Sequence, residues 1–443
     1  MLKAFLLAAG LGTRLAPLTN NIPKCLLPFA GRPLLDYWFE LLADAGCLEA
    51  RVNTHAHAGA MREYLESEFP AKYPQISESH EPTLLGSAGA IAANPDFANG
   101  ASEVVIICAD QISDVDIAAM LDFHRQHGDP LTMLLYRVNN PTECGIVDVD
   151  ADARVIEFTE KPQFPKGNLA NGGIYIVSAA AYREIAQLRQ FDFGFDILPR
   201  FVGRMRGWTW AGVHRDIGTH TALAKAKLEL PSVVKTIASR TEAQPAIFLD
   251  RDGTLIESVH YLTHPSQVRV MPDAAATLRR FHLAGYRCVV TTNQSVIGRG
   301  LLTEDGLRLV HDEMTRQLAE QRAWLDAIYH CPFAPSSDPA GIQEHSHRKP
   351  NPGMLLQAAG ELNLDLSRSW MIGDTDLDVE AGCRAGCCGS LKLVATTDVN
   401  IAEERYAHRY DNTHCVPSLT AAADLIFQKV SQPELPCVAV GSF

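Results

Sequence analysis

The sequence IFLDRDGT at residues 247–254 joins an apolar run to two acidic residues and a glycine. The apolar run is typical of a buried strand that ends at Asp250. Because alternate residues of an extended chain face the same side, Asp250 and Asp252 should point in one direction, and Gly253 lets the chain turn. Two carboxylates this close repel by roughly 1–4 kcal/mol. The pattern therefore predicts a bound cation, a shared proton or phosphoryl chemistry at the end of this strand.

Three further polar segments follow IFLDRDGT along the chain. They are TTNQS at residues 291–295, which ends the apolar strand predicted at 287–292, RKP at 348–350, and GDTDLD at 373–378. The four segments, in this order, resemble those of the haloacid dehalogenase-type phosphatases. The resemblance implies a second α/β domain with this activity.

Each segment has a role in that family. The resemblance implies that Asp250 attacks phosphorus and forms an aspartyl-phosphate. Asp252 would protonate the leaving oxygen and then accept a proton from water. Thr292 and Lys349 would bind the transferring oxygens. It also implies a Mg²⁺ site made by four carboxylates: Asp250, Asp252, Asp374 and Asp378.

Two longer stretches resemble one subgroup of these phosphatases in particular. NQSVIGRG at 293–300 and RKPNPGM at 348–354 are similar to the heptose 1,7-bisphosphate phosphatase subgroup, to which histidinol-phosphate phosphatases are related. This similarity implies that three residues contact the phosphorylated sugar: Asn293, Arg299 and Arg348.

The same subgroup carries a zinc loop, Cys-x-His and then Cys-x-Cys before Arg-Lys-Pro. Here the corresponding positions read CPF at 331–333 and HSH at 345–347. Histidine still binds zinc, but Phe333 cannot, and His330 would complete the four ligands of a structural zinc only if the loop shifts. Two alternatives stay open: a metal-free loop, or a structural zinc bound by Cys331, His345 and His347.

The N-terminal half begins with an apolar strand predicted at 3–9, followed by GLGTRLAPLT at 10–19 and Pro-Lys at 23–24. Glycines allow close approach to a ligand, and arginine and lysine can bond to phosphates. This order resembles the sugar-1-phosphate nucleotidyltransferases. The resemblance implies that Lys24 assists at the phosphates of a nucleoside triphosphate held by Gly10, Gly12, Thr13 and Arg14.

Five later segments match the same family in order: LLGSAGA at 84–90, VVIICAD at 104–110, FTEKP at 158–162, NGGIY at 171–175 and RDIGT at 215–219. The resemblance implies further nucleotide contacts from Gly86, Ala88 and Gly89. It implies sugar-phosphate contacts from Glu160, Lys161, Asn171 and Gly173. It implies a second Mg²⁺ site, formed by Asp110 and Asp216.

Composition limits the classes of partner. The chain has 443 residues, enough for two or three domains. Its net charge of −13, without a Lys/Arg-rich run, argues against binding to nucleic acid or to an anionic membrane. Its 11 cysteines form no repeated CxxC framework, and we find no signal peptide or apolar run of membrane-spanning length. These features favour a cytoplasmic, thiol-reduced protein.

We therefore expect an α/β protein whose two domains each contain a mostly parallel sheet with helices on both faces. The predicted boundaries are a nucleotidyltransferase domain at 1–230, a polar linker at 231–244, a phosphatase domain at 245–430, and a loose tail at 431–443. Helices are predicted at 33–45 and at 418–430.

The two halves suggest consecutive steps. A phosphatase acting on a sugar 1,n-bisphosphate produces the sugar 1-phosphate that a nucleotidyltransferase uses. Resemblance to heptose enzymes favours nucleotide-activated heptose synthesis for surface polysaccharide, with GTP as the nucleotide. Two alternatives remain: a transferase for hexose or N-acetylmuramate 1-phosphate joined to a phosphatase of other specificity, or one half acting as a sugar-nucleotide sensor. A homo-oligomer is compatible with either.

Overall fold

The computed structural model of the chain describes residues 1–334, 345–399 and 412–431. The described chain divides into two compact units. The first comprises residues 1–237 apart from 30–32, and the second comprises residues 30–32 and the described chain from Ala238 onward. The tail predicted at 431–443 lies outside the described residues from position 432 onward.

The first unit contains a mixed sheet with a parallel centre. The strands in this part of the chain are β1 (Leu2–Leu7), β2 (Pro28–Phe29), β3 (Arg32–Pro33), β4 (Glu49–Thr54), β5 (Gln75–His80), β6 (Glu103–Cys108), β7 (Gln111–Ser113), β8 (Leu131–Arg137), β9 (Gly145–Val149), β10 (Val155–Glu160), β11 (Leu169–Ser178), β12 (Met205–Thr209) and β13 (His214–Asp216). Nine of them form the mixed sheet, whereas β2 pairs with β3 and β7 pairs with β13 in two separate two-stranded sheets. The order at the centre is β6-β1-β4-β5, all parallel, and β11 continues the sheet antiparallel to β6.

Helices cover both faces of this sheet. They are α1 (Leu34–Asp44), α2 (Ala58–Leu65), α3 (Gly86–Ala92), α4 (Ile117–His127), α5 (Ala179–Leu188), α6 (Leu198–Phe201) and α7 (His220–Ala238). Alternation along β1 explains the two layers, because Leu2, Ala4 and Leu6 pack into one core and Phe5 into the other. The helix predicted at 33–45 is α1, which begins directly after Pro33.

The segment predicted as a linker, 231–244, is helical over its first part. Pro231 lies inside α7 without ending it, and the helix continues to Ala238. The prediction of a non-periodic polar segment from 231 is wrong as far as Ala238, because Val233 and Ile237 are buried and keep this part of the helix packed.

Within the described residues the second unit contains a parallel sheet in the order β16-β15-β14-β17-β18-β19. The strands are β14 (Ala246–Leu249), β15 (Arg287–Asn293), β16 (Ala327–Cys331), β17 (Trp370–Gly373), β18 (Gly389–Leu393) and β19 (Thr413–Val416). The helices are α8 (Ala274–Leu283), α9 (Ser295–Gly298), α10 (Glu304–Glu320), α11 (Gly353–Leu362), α12 (Asp376–Ala385) and α13 (Leu419–Ser431).

The central strands of each parallel sheet end next to predicted site residues. Asp250 follows β14, and Asp374 follows its neighbour β17. Since parallel strands bring their carboxyl ends to one edge, residues distant in sequence meet there. The predicted α/β fold with mostly parallel sheets and helices on both faces is confirmed. Across the described ranges, no helix is both long enough and apolar enough to cross a membrane.

Candidate active sites

The site of the second unit is organised by Lys349, whose side chain is buried among carboxylates. Its Nζ donates to Asp250 Oδ1 at 2.6 Å and to the carbonyl of Thr291 at 2.7 Å, and it lies 2.5 Å from Asp378 Oδ1. Burial acts to lower the pKa of Lys349, but Asp250 and Asp378 raise it above the usual lysine value. Lys349 is therefore a fixed cation at the ends of the strands.

Asp250 is a buried acid whose charge depends on its neighbours. Burial raises its pKa to about 7, Lys349 acts in the opposite direction, and Asp378 adds to the rise. The backbone N–H of Asp250 bonds to the carbonyl of Ile372 on β17 at 2.9 Å. The strand pairing thus holds the side chain at the carboxyl edge.

Three carboxylates of this site can share one cation. Ligand atoms of Asp250, Asp374 and Asp378 all lie within 4.8 Å of one another. Asp374 Oδ1 is buried and, among the described residues, has no hydrogen-bond partner. Burial and the nearby Asp378 raise the pKa of Asp374. Hard oxygen donors with an unsatisfied buried oxygen fit Mg²⁺.

Gly253 has no side chain that would collide with the carboxylate cluster of Asp250, Asp374 and Asp378. It adopts a φ of +79°, and a Cβ at this position would collide with the carboxylate of Asp374. The turn that we expected at Gly253 therefore also permits the close approach of two strand ends.

Asp252, the fourth predicted metal ligand, is held by different groups. The Arg251 guanidinium binds both carboxylate oxygens of Asp252, at 3.0 and 2.8 Å from Nη2, and Gln294 Nε2 donates to Oδ2 at 3.0 Å. The carboxylate of Asp252 does not belong to the cluster in which Asp250, Asp374 and Asp378 could bind one cation. Its arrangement suits a positioned acid–base group better than a metal ligand.

Two residues of this network were missed by the sequence analysis. Arg251 is 1% exposed and also bonds to Gln294 Oε1 at 2.9 Å, and Gln294 Nε2 donates to Thr292 Oγ1 at 2.8 Å. Both residues lie inside the quoted motifs, at 251 and 294. Their burial, which could have distinguished them from ordinary polar neighbours, is not visible in the sequence.

The residues predicted to contact the sugar phosphate have varied surroundings. The Asn293 amide pairs with the backbone of Lys349, accepting from its N–H at 3.0 Å and donating to its carbonyl at 3.1 Å. Arg299 lies over the ring of Tyr261 at 5.8 Å, and Arg348 donates to the carbonyl of Phe333 at 2.9 Å. Asn293 therefore positions Lys349, and the three predicted sugar contacts stay predictions.

The zinc alternative is not supported. The Phe333 ring stacks on His345 with centroids 4.0 Å apart, and His345 Nδ1 accepts from the backbone N–H of His347 at 3.2 Å. In the part of the chain that the structure describes, Cys331, His345 and His347 do not bring their ligand atoms together. A phenyl ring stands where a ligand is needed, so the four-ligand requirement of structural zinc is unmet.

The site of the first unit is also built around a lysine between two acids. Lys24 Nζ lies 2.7 Å from Asp110 Oδ2 and 3.5 Å from Asp216 Oδ2. Burial and the nearby Asp110 raise the pKa of Asp216, while Lys24 acts to lower it. The two carboxylates come from the ends of β6 and β13, and their oxygens and shared charge fit Mg²⁺.

The Gly-rich segment converges on the same place. A Cβ at Gly218 would lie 2.8 Å from Arg14 Nη2 and 3.2 Å from Lys24 Nζ, so both cations border the Asp216 loop. Gly12 has a φ of +65°, and its carbonyl accepts from Thr19 Oγ1 at 2.8 Å. This segment therefore presents positive charge beside two carboxylates, as a triphosphate with its cation requires.

The segment at 86–89 packs tightly against the backbone at Phe191. Gly86 has a φ of +79°, and a Cβ there would collide with the Phe191 carbonyl, which accepts from the N–H of Ala88 at 3.0 Å. A Cβ at Gly89 would lie 3.1 Å from the Leu85 side chain. Packing by itself therefore requires small residues in this segment, and their predicted contacts with the nucleotide stay predictions.

Glu160 and Asn171, two of the predicted sugar-phosphate contacts, each lie against glycine residues. Burial raises the pKa of Glu160, and a Cβ at Gly145 or Gly194 would lie 2.5 or 2.8 Å from its Oε2. Asn171 Nδ2 donates to Tyr175 Oη at 2.7 Å, and its Oδ1 accepts from Gly173 N at 3.0 Å. Lys161, by contrast, is exposed.

Comparison with known proteins relates the two units of the chain to two different families. The nucleotidyl transferase family model matches residues 3–232, more than half of the chain, and a HAD-hydrolase-like family model matches residues 346–422. A D-glycero-D-manno-heptose-1,7-bisphosphate 7-phosphatase of Thermosynechococcus vestitus is 35% identical over 41% of this chain and 95% of its own length. A D-glycero-beta-D-manno-heptose-1,7-bisphosphate 7-phosphatase of Rhodopseudomonas palustris is 40% identical over 33% of this chain and 82% of its own length.

A third relative resembles the other half. The mannose-1-phosphate guanylyltransferase catalytic subunit beta of Danio rerio is 35% identical over 49% of this chain, which spans 61% of that protein's length. The chain therefore belongs to the nucleotidyl transferase family through its N-terminal unit, and through its C-terminal unit to the haloacid dehalogenase-type phosphatases that include the heptose-bisphosphate enzymes.

Proposed function

We propose that the chain is a bifunctional enzyme that makes a nucleotide-activated heptose in two consecutive steps. The C-terminal unit hydrolyses the distal phosphate of D-glycero-D-manno-heptose 1,7-bisphosphate. The N-terminal unit then transfers a nucleotidyl group to the heptose 1-phosphate and releases pyrophosphate. The observation that carries the proposal is the 35% identity to a 7-phosphatase over 95% of that protein's length, in a chain that also carries a nucleotidyl transferase.

In the phosphatase step, a carboxylate oxygen of Asp250 attacks phosphorus while the bond from phosphorus to the sugar oxygen breaks. Asp252 protonates the departing oxygen, and then accepts a proton from the water that cleaves the aspartyl-phosphate. Arg251 and Gln294 hold Asp252 for both transfers. Lys349 and Thr292 stabilise the oxygens around phosphorus.

In the transfer step, a phosphate oxygen of the sugar 1-phosphate attacks the α-phosphorus of the nucleoside triphosphate, and pyrophosphate leaves in line. Arg14 and Lys24 lie beside the Asp216 loop and supply positive charge for the triphosphate. Glu160, Asn171 and Gly173 would contact the sugar phosphate.

Mg²⁺ would be held by Asp110 and Asp216 in the first unit and by Asp250, Asp374 and Asp378 in the second. When bound, Mg²⁺ would neutralise negative charge on the phosphate groups in both reactions. Lys24 and Lys349 each bond to carboxylates of these sets, so they keep the acids close together against their mutual repulsion.

GTP is the proposed nucleotide, since the relatives of the first unit include guanylyltransferases. The same relatives support a second candidate, in which the acceptor is mannose 1-phosphate or another hexose 1-phosphate. The proposed location is the cytoplasm, where nucleoside triphosphates and phosphorylated sugars are available, and the proposed use of the product is surface polysaccharide synthesis.

The test is product analysis by mass spectrometry. Purified chain with Mg²⁺ is given the heptose 1,7-bisphosphate and an equimolar mixture of GTP, UTP, CTP, ATP and dTTP. We expect inorganic phosphate, pyrophosphate and GDP-heptose. Parallel reactions with hexose 1-phosphates and histidinol phosphate identify the competing specificities. Faster turnover of any of these than of the heptose compounds would contradict the proposal.

A further inference from the structure

We propose that Asn53 and Glu81 form a buried positioning pair that fixes the two nucleotide-binding segments, 10–14 and 86–89, relative to each other. The proposal rests on the proposed transferase function and on the nucleotide-binding role that the family resemblance implies for those segments. It assigns a role in transfer to two residues that the family motifs quoted above do not include.

Asn53 holds the entry to the first segment. It lies at the carboxyl end of β4, is 3% exposed, and its Oδ1 accepts from the backbone N–H groups of Ala8 and Ala9 at 2.6 and 3.2 Å. These two residues lie between the end of β1 and Gly10. One side-chain oxygen thus satisfies both backbone donors that lead into the Gly-rich segment.

Glu81 holds the entry to the second segment. It directly follows β5 and is 2% exposed, and its Oε2 accepts from the backbone N–H of Leu85 at 3.0 Å. Leu85 precedes Gly86, whose backbone is already constrained by the Phe191 carbonyl. The other oxygen, Oε1, accepts from Asn53 Nδ2 at 2.8 Å.

The sheet brings the pair together. β4 lies between β1 and β5, parallel to both, so its carboxyl end is next to both exits. The N–H of Glu81 also bonds to the carbonyl of Thr54 at 2.7 Å. A continuous path of hydrogen bonds therefore runs from Ala8 through Asn53 and Glu81 to Leu85.

The polarity of this path allows one arrangement. Because Asn53 Oδ1 accepts from two backbone donors, its amide nitrogen must face Glu81, and Glu81 must offer acceptors on both sides. Glu81→Gln places an amide donor against a donor, and Asn53→Asp places carboxylate against carboxylate. The double replacement restores a donor and acceptor at every contact, with the direction of the central bond reversed.

The experiment compares Asn53→Asp, Glu81→Gln and the double variant in the full chain. Steady-state transfer is measured with whichever nucleotide and sugar 1-phosphate the wild-type chain turns over, so a wrong substrate in the proposed function leaves the comparison intact. We expect each single variant to raise the nucleotide KM about tenfold or more, with a smaller change in kcat. The double variant should recover most of this loss.

Two controls separate positioning from general stability. Phosphate release by the same molecules should be unchanged. Thr132→Val, which removes a buried hydroxyl bonded to His124 and His127 in the same unit, should lower the melting temperature without changing the nucleotide KM. Single variants with a wild-type nucleotide KM, or a double variant no better than the worse single, would overturn the pair. If a single variant does not fold, a double variant that folds with a nucleotide KM near that of the wild type supports the pair, and a double variant with a strongly raised nucleotide KM overturns it.

Discussion

Lys349 Nζ lies 2.6 Å from Asp250 Oδ1, although the two residues are 99 positions apart in sequence. The positive charge of Lys349 favours the charged form of Asp250 and opposes burial, which raises the pKa of this acid to about 7 in spite of the ion pair. A charged Asp250 is what nucleophilic attack on phosphorus requires. Asp110 and Lys24 repeat the relationship in the first unit at 2.7 Å.

Replacement of one acid in each unit should separate the two activities. Asp250→Asn should reduce phosphate release from the heptose bisphosphate by about a thousandfold or more, because the amide is not a nucleophile. Pyrophosphate release from added sugar 1-phosphate should continue. Asp110→Asn should do the reverse. Loss of both activities in either folded variant would show that the units do not act independently.

Removal of the buried lysine should cost both stability and phosphatase activity. Lys349→Met leaves Asp250 and Asp378 buried without their cation, which should lower the unfolding free energy of the unit by about 3–5 kcal/mol. Denaturant titration measures this loss. The control is Arg280→Met, which removes an exposed ion pair to Asp424 and should cost at most about 1 kcal/mol. Equal losses for the two variants would argue against the role of Lys349.

Gln294→Leu should slow the phosphatase without unfolding it. The change removes the donors to Asp252 and Thr292 and the acceptor for Arg251, so we expect kcat to fall about tenfold to a hundredfold. Gln317→Leu, which removes a partly buried amide of the same unit that bonds to the Val268 carbonyl, is the matched control. A Gln294→Leu enzyme with the kcat of the control would indicate that Asp252 needs no such support.

The stability of the first unit should fall in mild acid. Burial lowers the pKa of His124 to about 4, from an ordinary value near 6.5. Below 6.5 the unfolded chain binds a proton that the folded chain excludes, so stability is full above pH 6.5 and declines as the pH falls to about 4. Denaturant midpoints between pH 4.5 and 7.5 measure the slope, which His124→Gln should make shallower. An unchanged slope would assign the acid sensitivity to other groups.

Strand and helix patterns were largely readable from the sequence. The strand predicted at 287–292 is β15, and the final helix predicted at 418–430 is α13 (Leu419–Ser431). Such elements are encoded by neighbouring residues, through apolar alternation and helical periodicity. The prediction of a linker from 231 is wrong over its first part, because Pro231 suggests the end of a helix. The helix continues because Val233 and Ile237 are packed in the core, and such packing cannot be read from neighbouring residues.

The sequence by itself determined the two families, their order, the acids that follow the strands and the lysines of the Pro-Lys and Arg-Lys-Pro motifs, because these are short motifs of adjacent residues. The tertiary structure alone decided which of them meet. In the structure, Asp250, Asp374 and Asp378 place ligand atoms close together, and Asp252 bonds to Arg251 and Gln294 instead. The predicted zinc ligands Cys331, His345 and His347 do not share a ligand position within the described residues. The tertiary structure also pairs Asn53 with Glu81. The physical reason is that hydrogen-bond partners and burial depend on strand order and register, which bring distant positions to a common edge of the sheet.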